Sequence, residues 1–183
     1  MVSEGEGEML EDSADLWRYI HLEAAAGSHL SALRRWEHTD DEFSQRLGRN
    51  YYGCPEGWVD DLWREPSRLG WLAFAGEIPA GFVDLTVEPV EALAFVSLYA
   101  APGFRGRGVG GILLEQAARA ASEYGICGLL ADVEAGNEAC ARCLFRAGFF
   151  EIAPDCAGLR TFARQLARSH AQAKEQANAH AEQ

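Results

Sequence analysis

The chain has 183 residues, 48% of them apolar, which suits one compact domain with a core of ordinary size and leaves too little for a second. Its formal net charge of −12, from 28 acidic and 16 basic residues, argues against a nucleic-acid binder and favours a cationic partner. No run approaches the roughly 20 consecutive apolar residues that span a bilayer. The start, Met1-Val2-Ser3-Glu4-Gly5-Glu6, is acidic where a secretory leader is basic, so the expectation is a cytoplasmic protein with no membrane partner.

In chain order, residues 1–14 read as a disordered acidic head, 15–168 as a single domain and 169–183 as a polar tail with almost no large apolar residues. Leu16 to Leu22 is predicted as a first strand, and Ser28 as the N-cap of a helix carrying Leu30, Leu33 and Trp36 at helical spacing. Asp40-Asp41-Glu42-Phe43 has the acidic first turn of another short helix. Residues 49–67 then form an aromatic and acidic loop with Tyr51, Tyr52, Trp58, Asp60, Asp61 and Trp63.

From Gly70 the period changes. Trp71 to Ala75, Gly81 to Glu88 and Ala92 to Ala100 read as three strands of an antiparallel meander. In the second, Val83, Leu85 and Val87 alternate with Phe82, Asp84, Thr86 and Glu88, which predicts one core face and one face open to a cleft. Val109, Leu113, Ala117, Ala120 and Tyr124 define an amphipathic helix, with Glu115, Arg119 and Glu123 expected to pair along its solvated face. Ile126 to Val133 reads as a buried strand, and Asn137 to Ala147 as a helix with Asn137 as N-cap and Gly148 ending it. Phe149 to Ile152 and Leu159 to Ala163 close the domain, giving the order βββαβαββ after Gly70.

Cys54, Cys127, Cys140, Cys143 and Cys156 are odd in number and lack a framework spacing, so reduced thiols are expected. Cys140 and Cys143 lie three apart on one helix face with no second Cys pair or His to complete a metal site. They read as small apolar residues, and no metal is expected.

Between Ala100 and Val109 the chain runs Ala101-Pro102-Gly103-Phe104-Arg105-Gly106-Arg107-Gly108 and continues into Gly110 and Gly111. Glycines at alternate positions leave backbone amides unshielded beside the positive end of a helix, an arrangement that holds phosphate, and Arg105 and Arg107 add positive charge at its rim. Gly106-x-Gly108-x-x-Gly111 also satisfies a dinucleotide fingerprint, with Asp132 where a ribose-binding acid would stand. The intervening Pro102 to Arg105 and the preceding meander weigh against that NAD(P)-dependent oxidoreductase.

Arg105-x-x-Gly108-x-Gly110, preceded by Leu98-Tyr99-Ala100-Ala101-Pro102 and followed by Asn137 and Gly148-Phe149, resembles the GNAT superfamily of N-acetyltransferases over roughly Gly70 to Phe150. The resemblance implies an α+β fold, with a central, mostly antiparallel mixed sheet flanked by helices. It implies acetyl-CoA as co-substrate, lying where two neighbouring strands splay apart. Its pantetheine would pair with Leu98, Tyr99 and Ala100, and its pyrophosphate would meet the amides of Gly106, Arg107, Gly108, Val109, Gly110 and Gly111, with Arg105 alongside. Asn137 matches an Asn that in relatives bonds the pantetheine arm, and reads equally as a helix cap.

Acetyl transfer needs a neutral amine, and an alkyl amine with pKa near 10 is neutral in only about one molecule in a thousand at pH 7. Asp132 is the first candidate base, because carboxylates occupy this position in GNAT subfamilies including the aminoglycoside 6′-N-acetyltransferases; Asp84, Glu88 and Glu91 are alternatives. Many relatives carry a Tyr acid seven residues after the Asn, where this chain has Leu144, beside Phe145. Tyr99 is the remaining candidate acid, and the alternative is a CoA thiolate that leaves unprotonated or takes a proton from water.

Asp40, Tyr51, Trp58, Asp60 and Trp63 fall where relatives build the acceptor wall and suit a cation. The leading expectation is acetylation of a small cationic amine such as an aminoglycoside, which would make this a resistance enzyme. A protein or peptide N-acetyltransferase and a non-catalytic acyl-CoA sensor are alternatives, and a homodimer is left open.

Overall fold

The computed structural model describes residues 20–39, 67–88, 90–154 and 158–167. The expected head and tail, the second short helix, and Asp40, Tyr51, Trp58, Asp60 and Trp63 all lie outside the described residues.

The elements in order are β1 (Ile20–Ala24), α1 (Leu30–Thr39), β2 (Arg68–Ala75), β3 (Ile78–Glu88), β4 (Leu93–Ala100), α2 (Val109–Glu123), β5 (Gly128–Glu134), α3 (Glu138–Arg146), β6 (Phe150–Pro154) and β7 (Leu159–Gln165). They form a seven-stranded sheet in the order β1-β2-β3-β4-β5-β7-β6. All neighbours are antiparallel except β4 and β5, which the α2 crossover makes parallel. This is the expected α+β architecture with a mixed sheet, and the order βββαβαββ from β2 onward is as read.

Apolar alternation explains the layers. Val83, Leu85, Ala94, Val96, Leu129, Ala131 and Val133 share one core with Val109, Leu113, Leu114 and Ala117 of α2. On the other face Leu72, Phe82 and Tyr99 pack with Leu33 and Trp36 of α1. The helix α2 lies close to β3 because Gly81 lacks a side chain: a Cβ there would stand 2.7 Å from the Tyr99 carbonyl oxygen and 2.9 Å from Leu113 Cδ1.

Several local expectations need correction. Ser28 does not cap α1; it lies inside a single 3-10 turn, Gly27–His29, and the His29 ring accepts the Ala26 amide at Nδ1, 3.2 Å away. The first strand extends to Ala24, two residues past the expected end. Glu115 reaches across to β7 and accepts from Arg164 at 2.8 and 3.3 Å, a geometry set by the sheet rather than by spacing along the helix. The second face of β3 is closed at its centre: Asp84 is 1% exposed and pairs with the Arg68 guanidinium at 2.9 Å. Among the described residues, no helix is long and apolar enough to cross a membrane.

Candidate active site

The parallel ladder between β4 and β5 is short. It pairs Leu93 with Gly128, Ala94 with Leu129 and Phe95 with Leu130, and stops there. The opposite edge of β4 stays paired with β3 up to Gly81↔Ala100, and β5 stays paired with β7 up to Glu134↔Leu159. Each strand follows its own outer neighbour, so Val96–Ala100 and Ala131–Glu134 diverge. The result is an opening with a β4 backbone edge on one side, which can pair with an extended ligand as a strand would.

The glycine turn stands at the head of this opening. Gly106 and Gly108 have φ of +73° and +87°, which L side chains rarely adopt. Gly108 is the N-cap of α2 and supplies no side-chain cap. The first helical bond runs from the Ile112 amide to the Gly108 carbonyl at 3.2 Å, so the amides of Val109, Gly110 and Gly111 have no acceptor within the helix. Beyond the adjoining residues and the helix's own backbone, no heavy atom of the described residues lies within 4 Å of a Cβ placed on Gly106, Gly108 or Gly111, so a ligand can approach this backbone. A shallow cavity of about 510 Å³ adjoins it, lined in part by Gly108, Gly111, Ile112, Gln116 and Leu22. The donors, the helix dipole and the open approach suit a pyrophosphate.

Two members of the turn have packing roles. A Cβ on Gly110 would stand 2.8 Å from Cys143 Sγ and 3.5 Å from Leu98 Cδ2, so this glycine lets α2 meet α3 and β4. Burial pushes the Cys143 thiol above its ordinary range, against a smaller opposing effect of Arg146, which keeps it a neutral packing group. Arg105 donates from Nε to the Ala100 carbonyl at 3.0 Å, with its guanidinium 5.8 Å from the Tyr99 ring centroid, tying the turn to the end of β4. Arg107 is exposed.

The structure spreads the candidate acids and bases widely. Asp132 is exposed on β5, two residues past the last β4–β5 pair, and accepts the Thr161 hydroxyl at 2.7 Å. Asp84 is held in the sheet by Arg68, and Glu88 is exposed at the end of β3. Glu91 is exposed in the turn before β4. Tyr99 is 6% exposed and packs at a tilt against Trp36, ring centroids 5.0 Å apart and planes 51° from parallel. Asn137 caps α3 by accepting the Cys140 amide at 3.2 Å. Leu144 is 1% exposed in the main core, and Phe145 meets Phe162 edge-on at 5.3 Å. Thr161 was not singled out from the sequence. Its pairing with Asp132 depends on β7 entering the sheet between β5 and β6, which no local pattern encodes.

Comparison with known proteins places this geometry. The family model described as Acetyltransferase (GNAT) family matches residues 30–149. No curated protein matches the chain. Among solved structures, the GNAT domain of S. lividans PAT has a TM-score of 0.68 at 20% identity, covering 80% of this chain and 90% of that one. The spermidine N-acetyltransferase from Vibrio cholerae, in complex with CoA and spermine, has a TM-score of 0.67 at 13% identity, covering 80% and 95%. The ribosomal-protein-S18-alanine N-acetyltransferase from Escherichia coli has a TM-score of 0.64 at 17% identity, covering 82% and 96%. A family match over well more than half of the sequence, on a sheet that opens beside an uncapped glycine turn, means that this chain belongs to the acetyltransferase (GNAT) family.

Proposed function

We propose that the protein transfers the acetyl group of acetyl-CoA to a primary amine of a small polycation, a polyamine or an aminoglycoside. The observation that carries this reading is the β4–β5 ladder ending at Phe95↔Leu130 next to the open amides at the start of α2. Acetyl-CoA supplies an acyl group activated as a thioester. The amides from Gly106 to Gly111 hold its pyrophosphate, with Arg107 at the rim and Arg105 fixing the turn. The β4 edge along the opening, at Leu98, Tyr99 and Ala100, pairs with the pantetheine arm, and Asn137 both caps α3 and faces that arm.

Asp132 takes the ammonium proton and releases the neutral amine. Asp84 is ion-paired and buried, and Glu88 and Glu91 stand at one end of the β3–β4 hairpin, so they follow Asp132 in order. A backbone amide near Tyr99 or Ala100 stabilises negative charge on the acyl oxygen. With Leu144 in the core and Tyr99 packed on Trp36, the leaving thiolate is protonated by water.

A polycationic acceptor is supported by the net charge of −12 and by the exposed Asp132. Asp40, Tyr51, Trp58, Asp60 and Trp63 form the rest of the acceptor wall in this reading. The V. cholerae neighbour is named for spermidine and the E. coli neighbour for a protein alanine, so a protein N-terminus is the rival acceptor. A quiet acyl-CoA sensor is the second reading, favoured by Leu144. Thiol release from acetyl-CoA, followed across aminoglycosides, polyamines and peptides, decides among them. Turnover confined to the small polycations is expected; turnover with peptides alone would reassign the acceptor, and silence with intact CoA binding would favour the sensor.

A further inference from the structure

The Thr161 hydroxyl donates to Asp132 Oδ1 at 2.7 Å. The two residues stand opposite each other in the β5–β7 ladder, so their side chains leave the sheet on one face. Threonine is stiff at χ1, and its strand is clamped on both sides. Next to it, Arg160 donates to both Glu151 carboxylate oxygens at 3.0 and 2.8 Å and to Glu138 at 3.1 Å, with its guanidinium 5.2 Å from the Phe162 ring centroid. Three residues further on, Arg164 is bound to Glu115 of α2. These ion pairs lie on the opposite face of β7 from Thr161 and tie the strand itself to β6, α3 and α2.

We propose that Thr161 is a positioning residue that immobilises Asp132 Oδ1 so that Oδ2 is presented to the acceptor ammonium. An N–H bond of the ammonium breaks, an O–H bond to Oδ2 forms, and the nitrogen keeps the electron pair that attacks the acyl carbon. The C–S bond then breaks, the CoA thiolate leaves with its electron pair and takes a proton from water, and the second N–H proton is lost to water. The proton then passes from Asp132 to water. This inference rests on Asp132 being the base, and adds the residue that orients it.

The test is steady-state thiol release from acetyl-CoA by the full chain, with spermine and then kanamycin as acceptor probes. Thr161→Val keeps the side-chain shape and removes the donor. It is expected to lower kcat by roughly tenfold to a hundredfold, as for a misplaced catalytic group, with KM for acetyl-CoA unchanged. Thr161→Ser is expected to restore most of kcat. In an Asp132→Asn background Thr161→Val is expected to add no further loss, because the group it positions is gone.

Wild-type kcat in Thr161→Val, alongside a slow Asp132→Asn, would overturn the proposal and leave Asp132 as base. An undiminished Thr161→Val effect in the Asp132→Asn background would make the threonine structural. A fast Asp132→Asn, or no turnover of either probe by the wild type, would remove the base reading and this inference with it.

Discussion

Gly108 and Gly110 stand two positions apart in one turn and are glycine for different reasons. At Gly108 the backbone is left-handed and open to solvent. At Gly110 the constraint is Cys143 Sγ, 2.8 Å from where a Cβ would stand. The contrast makes an alanine informative. Gly110→Ala gains about 1 kcal/mol of helix propensity and loses about 1–3 kcal/mol to overpacking, so a net loss is expected. In a Cys143→Ala background the clash is gone and the same substitution should raise the unfolding free energy, as denaturant titration would read. Asp132 raises a separate question at this scale. Asp132→Asn is expected to lower kcat about a hundredfold or more while leaving CoA affinity within about twofold, as for loss of a general base. A matching loss of CoA affinity would instead place Asp132 among the cofactor contacts.

At the scale of elements, the wedge exists because β4 and β5 are each zipped to a different outer strand. The β6–β7 pair matters here as the support of β5. The hydrogen bond from Arg160 is the largest influence on the Glu151 carboxyl and holds it below its ordinary range; burial acts against it, and the Arg160 charge adds a smaller pull in the same direction as the bond. A lowered carboxyl pKa contributes stability that is fully present above the unfolded-state value and is lost as pH falls through the folded-state value. Thermal melts of the wild type should therefore lose ground as pH drops below the usual glutamate range. Glu151→Gln should start lower at neutral pH and show a smaller loss over that acid interval. Parallel wild-type and variant curves would mean that the Glu151–Arg160 pair contributes nothing at the edge of the sheet.

These elements also show what one sequence can display. The helical period of Val109, Leu113 and Ala117 and the cap at Asn137 are local signals, and both elements formed within a residue or two of their expected bounds. Alternation along β3 separated Val83 from Asp84 correctly by face, but it carries no information on depth. Asp84 therefore read as lining a cleft, although Arg68 and the rest of the sheet enclose it. Ser28 looked like a cap by residue type, while the side-chain bond found there is the Ala26 amide donating to a His29 ring nitrogen. Thr161 and Glu115 take their partners from distant strands, which spacing along the chain does not reveal.

For the whole molecule, an acidic protein that holds a polyanion must concentrate its attraction in one place. The net charge of −12 gives no general affinity for phosphate, so in the proposed function the turn from Arg105 to Gly111 supplies the binding locally. That turn also separates the two nucleotide readings, because a meander and the Pro102–Phe104 turn precede it instead of a strand entering its first glycine. The most direct measurement is calorimetric titration of CoA and of NADH into the wild type and into Gly108→Asp, with folding of the variant verified by circular dichroism. The wild type should bind CoA and not NADH, and the folded variant should lose CoA binding, since a carboxylate would stand where pyrophosphate meets the α2 amides. Unchanged CoA affinity in a folded Gly108→Asp, or NADH binding without CoA binding in the wild type, would contradict it.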